Sequence, residues 1–308
     1  MQEFYSNGKL LISAEYLVLD GAIALALPTK FGQNLKVKEN NSNIITWKAF
    51  NELDECWFEA EFSNDNLSCI KSTATYGDKD KLVNTLQEIL NTAKILNPNF
   101  LSNTKGLEVS TTLTFPNKWG LGTSSTLINS IATWANMNAF ELLEKSFGGS
   151  GYDIACAQNN TPITYKRNRI TPEVKEVEFN PSYKDQLFFV YLNQKQDSKE
   201  GITMYRSLNI DKTKVVNEFN ELTAAIINAT TINEFSDLLT LHETKLGTLL
   251  GVTPVKEKLF SDYTGAVKSL GAWGGDFVLV TGSKEEVESY FLAKKYDTIL
   301  SYNEMILQ

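Results

Sequence analysis

The chain has 308 residues, 42% of them apolar, which is enough for one large or two smaller packed domains and excludes a disordered polymer. Its 29 Lys and Arg against 37 Asp and Glu give a net charge of -8, which argues against nucleic acid as a partner because phosphate contacts need clustered cations. Three widely spaced cysteines, Cys56, Cys69 and Cys156, show no metal or redox spacing and predict reduced thiols.

Met1-Gln2-Glu3-Phe4 lacks the basic-then-apolar order of a signal peptide. No apolar run approaches the ~18 residues of a membrane span. The expectation is a cytoplasmic protein without a membrane partner. In chain order, Leu10-Leu11-Ile12, 16–19 and 23–27 read as strands, with a turn at Asp20-Gly21. Segments 44–47 and 56–58 read as an antiparallel pair. Leu82, Leu86, Ile89, Leu90 and Ala93 fall at helical spacing, and Asn97-Pro98-Asn99 stops that helix. Leu107–Leu113 reads as a strand, followed by a helical stripe of Leu127, Ile128, Ile131, Ala132 and Ala135 and a short helix over 153–157. Beyond Asn180-Pro181 come a strand at 188–192, helices at 213–228, 231–250 and 254–269, a strand at 278–281, a helix from Lys284 and a strand at 298–300. The boundary near 180 divides the chain into 1–180 and 181–308. His242, the single histidine, reads as a partly exposed helix residue, since one imidazole makes neither a triad nor a multi-His metal site.

Chemistry concentrates in glycine-rich turns. Trp119-Gly120-Leu121-Gly122-Thr123-Ser124-Ser125 lies between a strand and a helix. Glycines let backbone approach a ligand, and the helix start offers free N–H groups to a phosphate. The P-loop pattern is absent. Gly148-Gly149-Ser150-Gly151-Tyr152-Asp153 delivers one carboxylate, suited to orienting or deprotonating an attacking hydroxyl. Gly271-Ala272-Trp273-Gly274-Gly275-Asp276 forms a third turn before a strand, and Lys9 stands at the head of the first strand. Glu15 reads as a residue that holds its turn together or pairs with a cation. Each feature also has a plain alternative: a capped helix, a helix-capping Asp, an ordinary αβ turn, a solvated lysine.

The order of these features resembles the GHMP kinase superfamily over about residues 5–285. Ala14-Glu15-Tyr16, Lys118-Trp119-Gly120-Leu121-Gly122-Thr123-Ser124, Gly151-Tyr152-Asp153-Ile154-Ala155 and Lys268-Ser269-Leu270-Gly271-Ala272-Trp273-Gly274-Gly275-Asp276 are most similar to the phosphomevalonate kinase branch. Ala14 and Trp273 stand where that pattern has glycine, and the segment 137–147 is short.

The resemblance implies an α+β fold in two parts, an N-terminal one like ribosomal protein S5 domain 2 and a ferredoxin-like C-terminal one, with ATP and Mg²⁺ between them. It implies Asp153 and Lys9 as catalytic residues. Lys118, Gly120, Leu121, Gly122, Thr123, Ser124 and Ser125 would bind the nucleotide. Ser150, Gly151, Lys195, Ser198, Gly274, Gly275 and Asp276 would border the acceptor. The metal would take Ser124 and Glu144, with Glu141 second. The implied reaction moves the γ-phosphoryl group of ATP to phosphomevalonate, a small anionic substrate, in a monomer or homodimer. Mevalonate or another metabolite remains an alternative acceptor. A non-catalytic metabolite sensor and an S5-like nucleic-acid binder remain alternatives of other classes.

Overall fold

The computed structural model describes residues 1–194, 198–271, 273 and 275–308, with the backbone alone for 198–200. The expected Lys195 and Gly274 lie outside the described residues, as does the side chain of Ser198.

The first sheet has eight strands: β1 (Gln2–Leu11), β2 (Ala24–Glu39), β3 (Ile44–Phe50), β4 (Cys56–Ser63), β5 (Cys69–Ala74), β6 (Leu107–Leu113), β7 (Ile163–Lys166) and β8 (Glu173–Glu176). Its order is β5-β4-β3-β6-β2-β7-β8, and β1 pairs with the other edge of the long β2. Helices α1 (Lys79–Leu96), α2 (Thr123–Trp134), α3 (Ala139–Ser146) and α4 (Tyr152–Gln158) belong to this part. Alternation along β3, β4 and β6 puts Ile45, Trp47, Phe58, Phe62, Leu107 and Val109 on the buried face. There they meet the stripe of α1 made by Val83, Leu86, Ile89, Leu90 and Ala93.

The second sheet, in the order β10-β11-β9-β12, is antiparallel throughout. Its strands are β9 (Leu187–Tyr191), β10 (Val267–Ser269), β11 (Phe277–Thr281) and β12 (Ile299–Ser301). Helices α5 (Ser198–Arg206), α6 (Lys212–Asn228), α7 (Ile232–Leu250) and α8 (Val255–Leu259) run between β9 and β10. Helix α9 (Lys284–Ala293) joins β11 to β12, and α10 (Tyr302–Met305) follows. Counted within this sheet, the strand order 2-3-1-4 with helical crossovers is ferredoxin-like. One cluster of buried residues takes Leu10, Leu25 and Phe115 from the first part and Phe189, Phe277 and Leu279 from the second, so the two sheets share a core. No helix among the described residues is long and apolar enough to cross a membrane.

Three expectations are corrected. Segment 16–19 is not a strand: Ala14 and Tyr16 take φ of 61° and 64°, and a 3-10 turn follows at Leu17–Asp20. The helix expected over 254–269 ends at Leu259, and Val267–Ser269 is a strand with every residue buried, so no alternation marks it. His242 is not partly exposed; α7 turns it fully inward.

Candidate active site

The glycine turn is fastened to β1. A bulge at Gly8 brings β1 so close that a Cβ there would lie 2.9 Å from the Leu121 carbonyl. That closeness lets the Lys9 N–H donate to Leu121 O at 3.0 Å, while Lys9 Nζ donates to Gly120 O at 2.7 Å. Gly120 and Gly122 take φ of 67° and 100°, left-handed values that favour glycine and turn the chain into α2.

Within the first turn of α2, Ser125 Oγ donates to Gly122 O at 2.9 Å and Thr123 Oγ1 to Asn117 Oδ1 at 3.1 Å. Ser124 is exposed and lines the cavity beside the turn. The helix start therefore presents unused backbone N–H groups, one hydroxyl and the partial positive charge of its dipole.

This cavity, about 280 Å³, is walled by Lys9, Glu15 and Tyr16 on one side and by Gly120, Gly122 and Thr123–Ser125 on another. Gly148–Ser150 with Tyr152 and Asp153, Ile202, and Gly271 with Asp276 complete it. Asp153 sits in the first turn of α4. Burial pushes its carboxyl above the usual carboxylate range, against the opposing pull of the Lys9 ammonium, the N–H groups of Asp153 and Ile154, and the Ser125 hydroxyl. Lys9 Nζ also stands 5.7 Å from the centre of the Tyr152 ring. Burial, and then the Asp153 charge, hold the Tyr152 hydroxyl protonated well beyond its ordinary range.

Lys9, Gly120, Gly122, Thr123, Ser124, Ser125, Ser150, Asp153 and Asp276 thus share one cavity. Other expected residues stand apart from its wall. Leu121 is buried in the core and contributes its carbonyl to β1. Lys118 stays exposed; its neighbour Trp119 is the residue that packs, edge-on to Phe31 and Phe277 at 5.4 Å each. Gly151 packs against Tyr165, whose hydroxyl donates to Ser150 O at 2.6 Å, and Gly275 is buried.

Glu144, the expected metal residue, does not line this cavity. Helix α3 buries Ala139, Leu142 and Leu143, which leaves Glu144 on its outer face, paired with Arg167 at 3.2 Å. Glu141 pairs with Lys145 at 2.8 Å. Trp273 lines a second cavity with Leu192, Lys258 and Tyr296, packs in the buried cluster that holds Ala14, Tyr16 and Leu17, and donates its backbone N–H to Tyr16 Oη at 3.1 Å.

Val18, Leu19, Phe147 and Ile202 also line the site without a place in the sequence reading of it, and Tyr16 and Tyr152, quoted within the motifs, had no role assigned. Tyr16 and Tyr152 stood inside quoted motifs and Phe147 adjoins the second glycine turn; no signal pointed to Val18, Leu19 or Ile202.

Three solved structures cover this whole arrangement. The Methanococcus jannaschii mevalonate kinase is 14% identical with TM-score 0.71, and the alignment covers 100% of this chain and 98% of that one. The Streptococcus pneumoniae phosphomevalonate kinase in complex with phosphomevalonate and AMPPNP is 13% identical with TM-score 0.68, covering 98% of each chain. The Lactococcus lactis galactokinase complexed with galactose is 14% identical with TM-score 0.71, covering 99% of this chain and 93% of that one. The chain has the GHMP kinase fold. No protein-family profile and no curated protein matches the sequence.

On this GHMP fold, the residues present fit a phosphate chain: left-handed glycines, a helix start with free N–H groups, the exposed Ser124 hydroxyl and one ammonium. No cluster of three or more His, Cys, Asp or Glu among the described residues forms a metal cage. A Mg²⁺ carried on phosphates needs only one or two protein oxygens. Ser124 offers an oxygen of that kind on the cavity wall.

Proposed function

We propose that the protein is an ATP-dependent phosphotransferase whose acceptor is a small metabolite bound beside Asp153. One observation carries this reading: Lys9, the Gly120–Ser125 turn and Asp153 wall a single cavity although they are far apart in sequence. Bound Mg·ATP supplies the phosphoryl group and charge neutralisation.

The chain's own residues orient and polarise. Backbone N–H groups at the start of α2 hold the phosphate chain, with Ser124 placed to ligate the cation. Lys9, fixed by Gly120 O, offers an ammonium to the charge that develops on the transferred group. Asp153 orients the acceptor oxygen and takes its proton where that oxygen is a hydroxyl. Positioning supplies most of the effect, because phosphoryl transfer asks little covalent chemistry of the protein.

The acceptor favoured by the sequence motifs is phosphomevalonate. A specific observation supports a second acceptor, an alcohol such as mevalonate. The described cavity wall carries the cation Lys9 and the carboxylates of Asp153 and Asp276, while the Glu15 carboxylate on it is paired with the buried Lys268. A second phosphate adds anionic charge to that wall, whereas a hydroxyl does not. The division of the chain into 1–180 and 181–308, with the nucleotide between, is part of the same proposal.

A coupled ADP-release assay with phosphomevalonate, mevalonate, homoserine and galactose tests it. Turnover with one acceptor is the expected result. ATP binding without turnover on any of them supports a metabolite sensor instead, and absence of an ATP-induced rise in melting temperature removes the nucleotide from the proposal.

A further inference from the structure

The wall formed by Ser13–Tyr16 runs directly from β1, which carries Lys9, into the cavity that Glu15 and Tyr16 line. It adopts a backbone that its residues resist. Ala14 and Tyr16 both have left-handed φ, a region that non-glycine side chains avoid. Such a conformation persists only where the surroundings over-determine it.

Distant elements hold each of these four residues. Ser13 Oγ receives the Leu25 N–H at 3.0 Å and the Thr223 hydroxyl of α6 at 2.8 Å. The Ala14 N–H donates to His242 Nε2 of α7 at 3.0 Å. That bond needs the Nε2 lone pair, so this imidazole is neutral with its proton on Nδ1. Glu15 pairs with Lys268 of β10, and both side chains are almost wholly buried. Tyr16 Oη receives the Trp273 N–H.

Lys268 occupies a special place among these ties. Its ammonium also donates to Ser269 O at 2.9 Å, and Glu243 Oε1 lies 3.8 Å away. It stands three residues before Gly271, where the loop that supplies Gly271 and Asp276 to the opposite wall begins. One buried cation therefore joins the Glu15 wall to the strand that launches the Gly271–Asp276 loop. A buried ion pair is a poor source of net stability but fixes geometry, because neither charge tolerates losing the other.

We infer that Lys268 is a positioning residue: through Glu15 it locks the strained Ser13–Tyr16 wall to the second sheet and so sets the acceptor side of the cavity relative to the phosphate turn. The effect on turnover rests on the phosphotransferase reading; the effect on the wall does not.

The test compares the full chain with Lys268→Met and with the paired Glu15→Gln/Lys268→Met, which removes both charges of the pair together and leaves Glu243 as the neighbouring buried carboxyl. Amide hydrogen exchange of the 13–18 segment should become about tenfold faster or more in both variants, with exchange in α2 and β6 unchanged. Loss of folding in both variants would make the pair a general stability element and overturn the proposal. A folded paired variant whose 13–18 segment exchanges like wild type also overturns it.

Steady-state assays supply the readout that a purely structural role would leave alone. In the folded paired variant the acceptor KM should rise about tenfold while the ATP KM stays within about twofold. Equal changes in both, or in neither, contradict the assignment. A wild-type chain without ADP release would defeat the phosphotransferase reading and leave the exchange result to decide the wall's anchorage.

Discussion

The Asp276 carboxylate lies directly against the Cα of Gly120, so a Cβ at position 120 would collide with it. The third glycine loop thus closes on the first. Gly120 also has a left-handed φ of 67° and holds Lys9 Nζ on its carbonyl. Gly120→Ala is therefore expected to move the turn, Lys9 and Asp276 together. Calorimetry should show ATP affinity lowered about tenfold or more, near 1.4 kcal/mol. Wild-type affinity in the folded variant would place the nucleotide elsewhere.

Asp153→Asn separates the two acceptor chemistries. A hydroxyl acceptor must lose a proton, so turnover on mevalonate should fall by about 10²–10⁴. A phosphate oxygen is already ionised, so activity on phosphomevalonate should fall far less. Kinetics on both acceptors check this, and equal losses would remove the distinction.

Lys9→Met removes the ammonium while keeping most of the stem. A kcat decrease of about 10²–10³ in the ADP-release assay is expected from losing one preorganised donor. Lys9→Arg should not restore it, because a planar guanidinium cannot reproduce the 2.7 Å bond to Gly120 O from the same backbone. A Lys9→Met variant with wild-type kcat would set this ammonium outside the reaction.

The buried cluster around Lys268 predicts how stability depends on pH. Burial first, and Glu15 second, push the Glu243 carboxyl from 4.5 up to about 8, with Lys268 opposing. Over that window the folded chain keeps a proton that the unfolded chain has released, so stability falls as pH rises, by at most about 1.4 kcal/mol per pH unit from this group. Glu15, also raised by burial, acts in the same direction. His242 is held neutral by burial and by Lys268, and it opposes this trend only below its ordinary 6.5, where the unfolded imidazole takes up a proton. Between 6.5 and about 8 the loss should be visible in denaturant midpoints, and Glu243→Gln should flatten it. An unchanged slope would show that Glu243 is not the proton's holder.

Local elements were legible wherever the signal was local. β6 runs over Leu107–Leu113 as read, and α1 and α7 follow their periodicity to within a residue. Gly120 and Gly122 could be read as a turn because left-handed backbone is what glycine permits. β10 was missed because a strand buried on both faces does not alternate, and Leu17–Asp20 because its preceding strain is imposed from outside.

The amino-acid sequence determined by itself which residues could turn, which faces were apolar and where a phosphate-holding helix start would fall. Tertiary structure alone decided that Glu15 meets Lys268 across 253 positions, that His242 points inward to Ala14, and that Glu144 faces Arg167 rather than the cavity. Periodicity says that a face must be covered but not by what, and a buried charge finds its partner only when distant strands and helices come together.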